Sequence, residues 1–135
     1  MKYKIGIAAS RYNSAYVDAM VATAQKILEN HTLLIRRVPG AFEIPLAVQR
    51  LLDKEKVDAV LAFGVIWKGQ TDHADLIARA VTDALLDLSL RFDRPVLHEV
   101  LTVQTEAQAR ARCLGSKLNR GREAAEAVLG LLAES

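Results

Sequence analysis

Cysteine is nearly missing from this chain: Cys113 is the only one. One thiol can neither close an intrachain disulfide nor build a Cys-x-x-Cys metal knuckle, and its scarcity fits a reducing compartment. Long apolar runs are missing too. Nothing approaches the roughly 20 residues that a bilayer-spanning helix needs. The basic start Met1-Lys-Tyr-Lys4 leads into an apolar run too short for a signal-peptide core, which reads instead as a strand. An excess of one charge is also lacking. Eighteen basic side chains against sixteen acidic ones give a formal charge of +2, scattered along the chain, which argues against nucleic-acid binding. No repeat, linker or low-complexity tract divides the sequence. With 135 residues, 51% of them hydrophobic, there is material for one well-buried core and too little for two domains. The expectation is a single domain over residues 1–135, in a soluble protein of the cytoplasm.

What is present is an alternation of two periodicities. Tyr3–Ala9 is β-compatible, and Ser10-Arg-Tyr-Asn-Ser14 follows with turn residues. From Ala15 to Asn30 the residues Val17, Met20, Val21, Ala24, Ile27 and Leu28 recur at helical spacing, with Asn13 or Ser14 placed to cap the first turn. Thr32–Val38 reads as a second strand, and about Pro45 to Asp53 as a short helix that tolerates proline at its start. Val57–Phe63 is a third strand, nearly continuous in apolar residues, as suits a strand covered on both faces. A long helix from about Asp72 to Phe92 and a strand over Pro95–Val103 come next. Thr105 to about Leu114 reads as helix, Asn119-Arg-Gly121 weakens continuity, and Ala124, Ala125, Val128, Leu129 and Leu132 mark the buried side of the last helix. Right-handed crossovers between such elements predict an α/β three-layer sandwich, a four-stranded parallel sheet flanked by helices in flavodoxin-like fashion. Periodicity leaves strand order open, and 2-1-3-4 is the usual arrangement.

Two segments join strand-like to helical sequence with unusual chemistry. Val60-Leu-Ala-Phe-Gly-Val-Ile-Trp-Lys-Gly-Gln-Thr-Asp-His73 ends an apolar run in a glycine-flanked loop, with His73 opening the next helix. Val38-Pro-Gly-Ala-Phe-Glu-Ile-Pro45 brings the Glu43 carboxylate and the Phe42 ring. In an open parallel sheet, ligands bind in the crevice beyond the carboxyl ends of the strands, where helix amino ends offer unpaired N–H groups. Two such loops at neighbouring strand ends enclose a small polar ligand.

These segments, with Ser10-Arg-Tyr-Asn13 and the tract Arg112–Ala125, resemble the 6,7-dimethyl-8-ribityllumazine synthase family in order and spacing over nearly the whole chain. The resemblance implies condensation of 5-amino-6-(D-ribitylamino)uracil with 3,4-dihydroxy-2-butanone 4-phosphate, a step of riboflavin biosynthesis, without a metal or redox cofactor. It makes His73 the proton-transferring group, as an imidazole can take and give a proton near neutral pH. It puts Gln70, Thr71 and Arg112 on the phosphate, which needs N–H donors and a guanidinium fork. It puts Tyr12, Ala41, Phe42, Glu43, Val65, Ile66, Trp67 and His98 around the ribitylaminouracil. Plainer readings stand beside these: a surface histidine for His73, helix capping for Thr71, a solvated arginine for Arg112, core packing for Tyr12, placement ahead of the next helix for Glu43, and the edge of the core for Val65 to Trp67. The resemblance further implies a homo-oligomer, a pentamer or a dimer of pentamers, with His98 and Arg112 reaching the site from a neighbouring subunit.

The chain departs from the pattern at Trp67, usually aliphatic in the family, at His98, usually phenylalanine, and at Asp72, usually small or hydroxyl-bearing. Asp72 beside a phosphate is electrostatically awkward unless it caps the helix or Lys68 and Arg112 outweigh it. In Leu114-Gly-Ser-Lys-Leu-Asn-Arg-Gly121 the family's lysine is displaced, so no role passes to Ser116 or Lys117, and Arg120 stands for the final lysine. The start close to the first strand and the short join before Thr32 lead to the expectation of a smaller assembly than a capsid shell. Two rivals remain: a non-catalytic relative that binds lumazine or flavin on the same scaffold, and an unrelated nucleotide module.

Overall fold

The computed structural model describes residues 1–69 and 72–134. Its strands β1 (Lys4–Ser10), β2 (Thr32–Val38), β3 (Ala59–Trp67) and β4 (Val96–Val103) form one parallel sheet in the order β2-β1-β3-β4. Helices α1 (Ser14–Ile27), α4 (Glu106–Leu114) and α5 (Arg120–Glu134) cover one face, and α2 (Ile44–Asp53) and α3 (His73–Phe92) cover the other. Handedness explains the split. The chain steps one way from β1 to β2 and the opposite way from β2 onward, so right-handed crossovers put α1 on one side and α2 and α3 on the other.

The strand side chains serve both faces by simple alternation. Ile5, Ile7, Leu61, Phe63 and Val65 pack toward α1 and α5, while Ala8, Val60, Ala62 and Val100 pack toward α2 and α3. Burial of β3 is complete from Ala59 to Ile66, which accounts for its lack of polar residues.

Three boundaries differ from the sequence reading by more than one residue. β3 begins at Ala59, not Val57, and runs on through Gly64 to Trp67, with Val65, Ile66 and Trp67 paired to Leu101, Thr102 and Val103. Gly64 is therefore a strand residue and not the start of a loop. A Cβ there would stand 3.0 Å from Ile44 Cδ1 and 3.3 Å from Val100 Cγ1, so the glycine admits close packing from α2 and β4. Helix α1 stops at Ile27 instead of Asn30, because the chain turns through a His31 N–H to Leu28 carbonyl bond and His31 Nδ1 accepts the Tyr3 N–H at 3.0 Å. Asn13 stands at the N-cap of α1, yet its side chain makes no capping bond. By contrast Thr105 caps α4 by accepting the Gln108 N–H at 3.1 Å, and Asn119 opens α5 by accepting the Arg122 N–H at 2.9 Å.

Candidate active site

A cleft of about 970 Å³ opens at the carboxyl ends of β1, β2 and β3, where the sheet's connections change direction. That volume suits a small organic ligand. Its walls come from four separate pieces of chain. Tyr12 follows β1 and is 69% exposed, so it is not a core residue. Gly40, Ala41, Phe42 and Glu43 follow β2, as a 3-10 turn that the sequence reading did not foresee. Phe42 is 62% exposed, which leaves two aromatic faces at the rim. Val65, Ile66 and Trp67 line the cleft from the end of β3, and the first two also belong to the buried core. His73, the first residue of α3, lines it from the far side, followed by Leu76 and Ile77.

Glu43 folds back so that one carboxylate oxygen accepts the Gly40 N–H at 2.9 Å, bracing the turn that carries Phe42. Glu43 also stands at the N-cap of α2, without a side-chain bond to that helix, and it lines the cleft. Asp75 pairs with Lys68 at 3.4 Å, so that lysine's charge is already engaged. Asp72 is the N-cap residue of α3, with no side-chain capping bond among the described residues. Gln70 and Thr71 lie outside the described residues.

His98 and Arg112 lie elsewhere. His98 sits on β4, an edge strand, and its Nδ1 accepts the Val100 N–H at 3.1 Å. The ring proton is thereby assigned to Nε2, which lies 2.7 Å from Thr82 Oγ1 on α3. Burial lowers the pKa of this histidine, so the neutral ring is favoured. Arg112, in the last turn of α4, donates to the Thr102 carbonyl of the same strand at 3.1 Å. Neither side chain lines the cleft of its own chain.

The sequence reading assigned no site role to Asn13. Its Nδ2 donates to the Val65 carbonyl at 2.6 Å and its Oδ1 accepts the Trp67 indole N–H at 3.1 Å. It stands next to the cleft aromatic Tyr12, at a left-handed backbone position with φ 62° that the sequence does not announce. Among the described residues, no three or more His, Cys, Asp or Glu side chains are gathered to hold a metal ion, and no helix is long and apolar enough to cross a membrane.

The family model for 6,7-dimethyl-8-ribityllumazine synthase matches residues 2–134. The chain belongs to this family. It is similar to proteins named 6,7-dimethyl-8-ribityllumazine synthase from Methylobacterium radiotolerans, 42% identical over 96% of this chain and 80% of the relative, and from Aquifex aeolicus, 41% identical over 90% and 82%. A relative of the same name from Rhodopirellula baltica is 39% identical over 96% and 86%. Trp67, at the end of β3, is held from three sides. Its indole packs against the core, meets Tyr16 edge-on at 6.2 Å between ring centroids, and is tied to Asn13.

Proposed function

We propose that this chain catalyses the condensation of 5-amino-6-(D-ribitylamino)uracil with 3,4-dihydroxy-2-butanone 4-phosphate to 6,7-dimethyl-8-ribityllumazine, releasing phosphate and water, in riboflavin biosynthesis. The carrying observation is the single cleft that gathers Tyr12, the Ala41–Glu43 turn, Val65 to Trp67 and His73, for which the family match over residues 2–134 supplies the reaction. Tyr12 and Phe42 offer flat apolar faces to the pyrimidine, and the strand-end backbone of Val65, Ile66 and Trp67 faces its polar edge. Glu43 keeps acceptor capacity beyond its one bond to Gly40, enough to take hydroxyl hydrogen bonds from the ribityl chain.

The chemistry asks for proton traffic between two reactants held together. The uracil amine attacks the ketone, water leaves as the imine forms, phosphate is eliminated, and ring closure expels a second water. His73, at the start of α3, is the proton carrier for these steps. Gln70, Thr71 and the guanidinium of Arg112 hold the phosphate.

Because His98 and Arg112 lie on the open β4 side of their own chain, a second copy supplies them to the cleft, in a cytoplasmic pentamer or pair of pentamers with sites between subunits. Each ring nitrogen of His98 is already occupied, so it presents an aromatic wall there. Mixing both substrates with the protein and following lumazine absorbance and green fluorescence tests the reading. Turnover well above the uncatalysed rate is expected; a rate equal to the protein-free mixture rejects it.

A further inference from the structure

We propose that Asn13 is a positioning residue which, through Val65 and Trp67, sets the ring-binding half of the cleft; this rests on the reading above. The left-handed backbone at φ 62° and ψ 41° turns the Asn13 side chain away from the amino end of α1, where an asparagine would ordinarily cap, and toward β3. There it makes two bonds of opposite sense, Nδ2 to the Val65 carbonyl at 2.6 Å and Oδ1 from the Trp67 indole at 3.1 Å. Only a carboxamide carries a donor and an acceptor at that spacing. Tyr16, one turn into α1, adds its ring edge to the same indole.

The same stretch is laced to the next strand end. The Arg11 N–H donates to the Val38 carbonyl at 2.7 Å and the Tyr12 N–H to the Pro39 carbonyl at 3.0 Å. Asn13 is therefore the link that joins the loops after β1 and β2 to the end of β3. With it in place, the separation between Tyr12, Phe42 and the β3 backbone is set before any ligand arrives. The indole N–H, the only polar group of the Trp67 side chain, is consumed in the bridge.

Removing the bridge should weaken binding of the uracil alone. Asn13→Ala is expected to raise KM for the ribitylaminouracil about tenfold, as loss of two hydrogen bonds implies, with kcat and the KM for the butanone phosphate within about twofold. Trp67 is the single tryptophan, so its emission reports the bridge directly. In Asn13→Ala it should shift to longer wavelength and become more readily quenched by acrylamide. Trp67→Phe, which keeps the hydrogen bond from Asn13 Nδ2 to the Val65 carbonyl, is the second variant, with a smaller rise of about threefold in the same KM; it keeps the test alive if Asn13→Ala does not fold. Combined, the two substitutions should raise KM by less than the product of their separate effects.

An unchanged uracil KM in both variants overturns the inference, and so does an equal rise in both KM values with a lowered Tm, which is the mark of a merely structural bridge. If the wild type makes no lumazine, the function proposed above falls separately. The bridge is then tested by titrating 6,7-dimethyl-8-ribityllumazine against Trp67 emission, where equal affinity for wild type and Asn13→Ala overturns it.

Discussion

At Glu99 on β4, burial against the α5 side pushes the carboxyl up to about 7, and Glu123 adds to the rise while Arg120 opposes it. One of its oxygens, Oε2, is buried with no hydrogen-bond partner among the described residues. Ionising the folded protein is therefore harder than ionising the unfolded chain. Between about 4.5 and about 7 the folded state holds the proton more tightly, so stability from this group falls as pH rises through that window and levels off above it. Glu99→Gln should raise stability at pH 8 by about 1–2 kcal/mol, discounted for partial exposure, and leave it little changed at pH 4.5. Urea denaturation at both pH values measures this, and an equal shift at the two would contradict it. At the proposed site, Arg112→Ala should raise KM for the butanone phosphate by about 30-fold or more, since a charge-assisted contact is lost. His73→Ala should lower kcat by only about tenfold, because holding two reactants together supplies much of the acceleration. Steady-state kinetics with each substrate varied in turn separates the two.

Among the elements, α5 depends on a single missing methyl. A Cβ on Gly121 would stand 2.6 Å from the Met20 carbonyl oxygen of α1, and backbone cannot yield as a flexible side chain can. Gly121→Ala should cost about 1–3 kcal/mol, seen as a lower urea midpoint. An unchanged midpoint would show that the α1 and α5 contact is looser than described. Gly64, inside β3, meets the same kind of close approach. In sequence Gly64 reads as a break, because nothing local announces that Ile44 and Val100 will press on it. Amphipathic helices α1, α3 and α5 were legible from spacing alone, whereas the 3-10 turn Ala41–Glu43 is held by a Glu43 to Gly40 bond that no periodicity encodes.

For the whole molecule, the isolated chain looks incomplete. Leu76, Leu86 and Leu90 share one side of α3 and are 65%, 61% and 73% exposed, a stripe that favours contact with other copies. The proposed sharing of sites between subunits makes a specific prediction. Arg112→Ala and a Tyr12→Ala/Phe42→Ala double variant should each be weakly active alone. Co-expressed in equal amounts, they should recover about a quarter of the wild-type activity, since about one interface in four then joins an intact cleft to an intact arginine. No recovery in mixed oligomers would place Arg112 outside its neighbour's cleft. Light scattering that finds only monomers would remove the shared-site reading as well.

The strands and α-helices, their approximate limits and most of the residues worth suspecting could be read from the sequence, because apolar spacing, turn chemistry and the Val38–Pro45 and Gly64–His73 segments are local signals. Folding settled what depends on distance between parts of the chain. It brought Tyr12, Phe42, Trp67 and His73 to one cleft, sent His98 and Arg112 to the β4 edge of the sheet, and turned the Asn13 side chain from a helix cap into a bridge. An asparagine reads the same in either role. Which partner wins depends on the backbone angle and on which carbonyl and indole the sheet order carries within reach.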